Sequence, residues 1–97
     1  MPKGYLIARV DITDPVAYAR YAEAATATAA IRHLGAKPLA RGGRYEAVEG
    51  PARGRNVVLE FETFEAARAY YYSPEYQAAK ALRAGAADAE FVLVEGV

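Results

Sequence analysis

Arg9, Asp11 and Glu60 sit at alternate positions within otherwise apolar stretches, and Tyr5 opens the first of those stretches. A cavity lined by these four side chains would suit a small polar or anionic ligand, with the guanidinium holding the anion. A second group is the run Tyr70-Tyr71-Tyr72-Ser73, followed by Tyr76. Phenols near an arginine bind a carboxylate or enolate oxygen, and a desolvated phenol can donate a proton to it. Arg41 precedes Gly42-Gly43, where free backbone amides can add to an anion site. The expected ligand-contacting set is therefore Tyr5, Arg9, Asp11, Arg41, Glu60, Tyr72, Ser73 and Tyr76.

Each of these residues has a plainer role to set beside the chemical one. Arg9 and Glu60 can form a structural ion pair across two strands, worth only ~0.2–1 kcal/mol. Ser73 precedes Pro74 and reads first as a helix cap, since no histidine base lies near it in sequence. Tyr70 and Tyr71 read first as core. The chain has a single histidine, His33, and no cysteine. A transition metal would need several carboxylates, and no spacing gathers them. Neither a metal nor another cofactor is expected.

Four strands and three helices must position these groups. From Gly4 to Ile12 the residues alternate, with Leu6, Ala8, Val10 and Ile12 on one face and Tyr5, Ile7, Arg9 and Asp11 on the other. Asp14-Pro15 starts a helix expected to run to about Leu34, where Gly35 ends it. Its inner stripe should be Ala17, Tyr21, Ala24, Ala27, Ile31 and Leu34. Lys37 to Glu49 is extended but interrupted by Gly42-Gly43, and Gly50 to Gly54 is a turn that also takes in Arg53 and, beyond it, Arg55. Asn56 to Glu62 is the third strand, with Val57, Leu59 and Phe61 facing opposite to Val58, Glu60 and Glu62. Two short helices follow, Phe64 to about Tyr71 and Pro74 to about Ala84. Ala89 to Glu95 closes the chain as a strand whose consecutive bulky residues, Phe91 to Val94, imply burial on both faces.

This order gives an α+β fold: a ferredoxin-like βαββαβ sandwich with a four-stranded antiparallel sheet and helices on one face. The 97 residues make one domain, 1–97, with twelve acidic and twelve basic side chains and no net charge. Charge balance argues against a protein that neutralises nucleic-acid phosphates. The RNA-recognition motif shares the topology, but it presents aromatic residues where this chain has Val58, Glu60 and Glu62. No apolar run approaches the ~20 residues that span a bilayer, and a cytoplasmic location without membrane contact is expected. Alanine supplies much of the 54% apolar content, which is little bulk for a monomeric core. The helix-free face of the sheet would leave Ile7, Val58 and one pair from the last strand exposed. A homodimer packing sheet against sheet resolves that exposure.

Gly4-Tyr5, Asp14-Pro15 with Tyr18 and Tyr21, and Arg41-Gly42-Gly43 form a recognisable set with Glu49-Gly50, Glu60-Phe61, Tyr72-Ser73-Pro74-Glu75-Tyr76-Gln77 and Arg83. Together they resemble domain-of-unknown-function family 1330, within the dimeric α/β-barrel superfamily. The resemblance spans essentially the whole chain and implies a ferredoxin-like protomer that dimerises through its sheet. It implies no established reaction. The leading expectation is a homodimeric small-molecule-binding domain, with a cofactor-independent enzyme acting on a small carbonyl or anionic compound as its active form. A non-catalytic stress or regulatory module is the alternative.

Overall fold

The computed structural model describes residues 2–26 and 34–97. The first alternating stretch is β1 (Gly4–Ile12), and its even face, Leu6, Ala8 and Val10, is almost fully buried. Helix α1 (Pro15–Thr26) begins where expected, with the Asp14 carboxylate accepting the Ala17 amide at 3.2 Å. Strands β2 (Lys37–Arg41) and β3 (Arg55–Phe61) follow, then helices α2 (Phe64–Tyr71) and α3 (Pro74–Ala81), and finally β4 (Ala87–Glu95). The sheet is antiparallel in the order β2-β3-β1-β4, as the βαββαβ reading requires.

A side-chain cap starts each of the two short helices, α2 and α3. Thr63 Oγ1 accepts the Ala66 amide at 3.0 Å, and Ser73 Oγ accepts the Tyr76 amide at 3.1 Å. Ser73 also donates to the Tyr70 carbonyl at 2.7 Å, so its hydroxyl is spent on the joint between the helices. Gly4 is wedged beneath that region: a Cβ there would run into the Thr63 carbonyl. The start of β1 and the entry to α2 are therefore in backbone contact.

The core is aromatic where the sequence suggested alanine. Phe61, Tyr70 and Tyr76 form a stack with ring centroids 5.4 and 5.0 Å apart, and Tyr18 and Tyr21 of α1 close it from the other helix. The buried side of α1 is Tyr18, Tyr21 and Ala25, a stripe rotated from the expected Ala17, Tyr21 and Ala24. Burying a second ring outweighs the close approach that alanine would permit. Ala27, Ile31 and His33 lie outside the described residues.

Two further departures have local causes. The extended segment expected to reach Glu49 ends at Arg41, because Gly42 turns away with φ +71°. In β4 the sides differ: Phe91 and Leu93 are half-buried under the helices, while Val92 and Val94 are 52% and 42% exposed. Burial on both faces is not achieved within one chain.

Candidate functional site

The structure divides the eight expected site residues between the two faces of the sheet. Tyr5, Arg9, Asp11 and Glu60 all lie on the helix-free face, but they do not form one cluster. The expected opposition of Arg9 and Glu60 is wrong. The register places Glu60 across from Tyr5 and Arg9 across from Asn56, four residues further along. Tyr5 donates to Glu60 at 3.1 Å, and that hydrogen bond holds the phenol above its ordinary pKa.

At the other end of this face, Arg53 gathers the charges. It donates to Asp11 at 2.9 Å, to Glu90 at 3.0 Å and to the Asp88 carbonyl at 3.2 Å. Arg9 reaches Glu90 at 3.6 Å and the Pro51 carbonyl at 3.3 Å. Arg53 was expected in a solvated turn, but it ties that turn to β1 and β4. Between the two polar ends runs an apolar row, Val58, Ile7 and Val92, paired directly across three strands. The polar groups of this face thus pair with one another at its two ends, with the apolar row between them.

The helix side holds a cavity of about 170 Å³. Leu6, Ala8, Val57 and Leu59 form its floor on the sheet, and Tyr18, Tyr21, Ala25 and Tyr76 reach it from α1 and α3. Two expected residues line it: Arg41, and Tyr76, which is only 1% exposed. Tyr72 does not. It is 61% exposed on the outside of α2, with the Arg68 guanidinium 5.3 Å from its ring centre. Ser73 serves as a cap and has no hydroxyl proton left to donate to a ligand.

Inside the cavity the Tyr21 and Tyr76 hydroxyls meet at 2.7 Å. Two phenols carry two protons and their mutual bond uses one, so the second remains available to a third oxygen. Burial pushes Tyr21 far above its ordinary pKa, with the Tyr76 contact adding to the effect. The Tyr21 hydroxyl therefore stays protonated and able to donate. Arg83 lies beside the pair, its guanidinium 5.1 Å from the Tyr21 ring centre and 4.4 Å from that of Phe91. Burial pulls the Arg83 pKa down, but the two phenols outweigh it and the net direction is up.

Arg55 was also expected in the turn, and here the structure corrects the reading most. It is the first residue of β3 and shares the inward face with Val57, Leu59 and Phe61, so its side chain lines the cavity. Its guanidinium lies 5.8 Å from the Tyr18 ring centre. Gly42 makes room for it, since a Cβ there would come within 2.7 Å of Arg55 Nη1. The alternation within β3 carried this signal two residues before the expected start of the inward face. Tyr21 and Arg83 were noted in the sequence, but nothing there joined them to Tyr76. No group of three metal-ligating side chains occurs among the described residues, and no described helix is long and apolar enough to cross a membrane.

A family model matches residues 3–97, described as Domain of unknown function (DUF1330). This chain belongs to that family. Solved structures share the DUF1330 chain's fold at low identity. A protein of unknown function from Rhodopseudomonas palustris superposes with a TM-score of 0.75 at 18% identity, covering 99% of this chain and 83% of that one. A dimeric ferredoxin-like protein of unknown function from Bacteroides fragilis gives 0.63 at 16% identity, covering 96% and 95%. A Caulobacter crescentus protein provisionally named an antibiotic biosynthesis monooxygenase gives 0.62 at 14% identity, covering 99% and 91%. No curated protein matches the DUF1330 chain at a significant level. At these identities the likeness establishes a ferredoxin-like fold and nothing of the chemistry.

Proposed function

We propose that this protein is a homodimeric small-molecule-binding domain whose site is the cavity between the sheet and helices α1 and α3. The observation that carries the reading is the Tyr21–Tyr76 hydroxyl pair, closed at 2.7 Å beside a mostly apolar cavity. A hollow of about 170 Å³ is in the range of a cavity of about 150 Å³ that accepts benzene. The ligand class is therefore a compact molecule, one ring or its equivalent, carrying an oxygen that accepts a phenol proton. Dimerisation through the helix-free face is supported by the apolar row Val58, Ile7 and Val92, half-buried at the first two and exposed at the third, and by the dimeric state of the Bacteroides fragilis relative.

A phenol held well above its ordinary pKa, as Tyr21 is, orients a ligand better than it exchanges protons with it near neutral pH. Binding without turnover is accordingly the first form of the proposal. A second form, a cofactor-independent enzyme acting on a small carbonyl compound, draws on Arg83, whose charge beside Tyr76 would favour an oxyanion formed there. Protein-observed NMR titration with one-ring alcohols, ketones and acids tests the shared claim. Saturable shifts that disappear when Ala25→Leu fills the cavity support it. Shifts unaffected by the filling substitution, or none with any compound, overturn it.

A further inference from the structure

Three features of the cavity bear on the charge of its ligand, and none is needed for the reading above. The described residues that line it include two arginines, Arg41 and Arg55, and no Asp or Glu. Arg55 has no carboxylate ion pair among the described residues. Its Nε is buried and has no hydrogen-bond partner there. A buried donor on a charged group is costly to leave unmatched, and such groups in folded proteins call for a specific explanation. Finally, Gly42, in a left-handed conformation with φ +71°, keeps open the space that the Arg55 guanidinium occupies.

We infer that Arg55 is the anchor for a carboxylate, and that the cavity takes a small carboxylic acid with an apolar, ring-sized body. The inference rests on the cavity being the binding site. A carboxylate facing a guanidinium forms two parallel charge-assisted bonds, here to the Nη groups, because Nε itself is closed to the cavity. The apolar body then lies on Val57 and Leu59, the next inward residues of β3. The Tyr21–Tyr76 pair, on the helix wall facing the sheet, supplies the remaining proton to a second oxygen where the ligand has one. Arg41, exposed on β2, adds positive potential without being enclosed. Arg83 also has a buried Nε without a partner, but its guanidinium packs between the Tyr21 and Phe91 rings and is not part of the lining.

The test compares sodium benzoate with benzyl alcohol, a neutral compound of nearly the same shape, by calorimetry and NMR on wild type, Arg55→Gln and Arg55→Lys. Benzoate should bind wild type at least about tenfold more tightly than benzyl alcohol. Arg55→Gln should remove that preference, with benzoate affinity falling at least about tenfold and benzyl alcohol affinity falling far less, and Arg55→Lys should restore part of it. A wild-type circular dichroism spectrum and urea midpoint are the control that Arg55→Gln still folds. Equal affinity of wild type for the two probes, or a benzoate preference that survives Arg55→Gln, overturns the inference while leaving the cavity as a binding site. Failure of both probes to bind wild type overturns the inference together with the reading it rests on.

Discussion

Tyr21 of α1 and Tyr76 of α3, fifty-five residues apart in the chain, share one hydrogen bond between buried hydroxyls at 2.7 Å. Their rings meet edge to face, with centroids 6.2 Å apart, so the two helices are joined through a polar contact inside an aromatic core. Either substitution to phenylalanine removes that bond and leaves the other hydroxyl to Arg83 alone. Tyr21→Phe and Tyr76→Phe should each cost about 1–3 kcal/mol, and the double variant clearly less than their sum. Urea denaturation of the four proteins checks this. Strict additivity would mean that the hydroxyls do not depend on each other.

Burial raises the phenols of Tyr18, Tyr21 and Tyr70 above the ordinary value of 10.0. In the unfolded chain these groups lose their protons near that ordinary value, while in the folded chain they keep them. Their contribution to stability is thus complete below pH 10.0 and is lost as pH rises above it toward the raised values. The urea midpoint should not respond to these groups on the acid side of that point and should fall steeply on the alkaline side. Tyr70→Phe should flatten the fall. A variant curve parallel to wild type would show that Tyr70 titrates normally.

Ser73 caps α3, and its hydroxyl proton is given to the Tyr70 carbonyl. Ser73→Ala removes the cap on the Tyr76 amide, and should cost ~1 kcal/mol. Benzoate affinity measured by calorimetry should stay within error of wild type. A large loss of affinity at unchanged stability would return Ser73 to the site.

Val92 ends the apolar row on the edge strand β4, across from Ile7 and 52% exposed in a single chain. Val92→Lys should leave the protomer folded by circular dichroism and convert the dimer to monomer in sedimentation equilibrium. A dimer unaffected by a lysine at that position would place the interface elsewhere.

The fold was legible because its signals are local. Alternation of Leu6, Ala8 and Val10 marked β1, and Asp14-Pro15 and Ser73-Pro74 marked two helix starts with side chains that do cap the first turn. The site was legible only where one residue declared itself. Tyr76 and Arg41 were expected and do line the cavity, whereas the Arg9–Glu60 pairing failed on register, which alternation alone leaves free. Arg55 follows Gly54 and looked like turn, although its parity with Val57 and Leu59 placed it on the inward face. The partnership of Tyr21 and Tyr76 has no sequence signature, because it exists only once two helices have docked on one sheet.

Val57 and Val58 are neighbours on β3 that face opposite sides of the sheet, one lining the cavity and the other on the apolar row. Methyl-labelled NMR during a benzoate titration reads both at once. The account predicts saturable shifts at Val57 and Leu59 with Val58, Ile7 and Val92 unmoved. Shifts at Val58 and Ile7 with Val57 silent would contradict it.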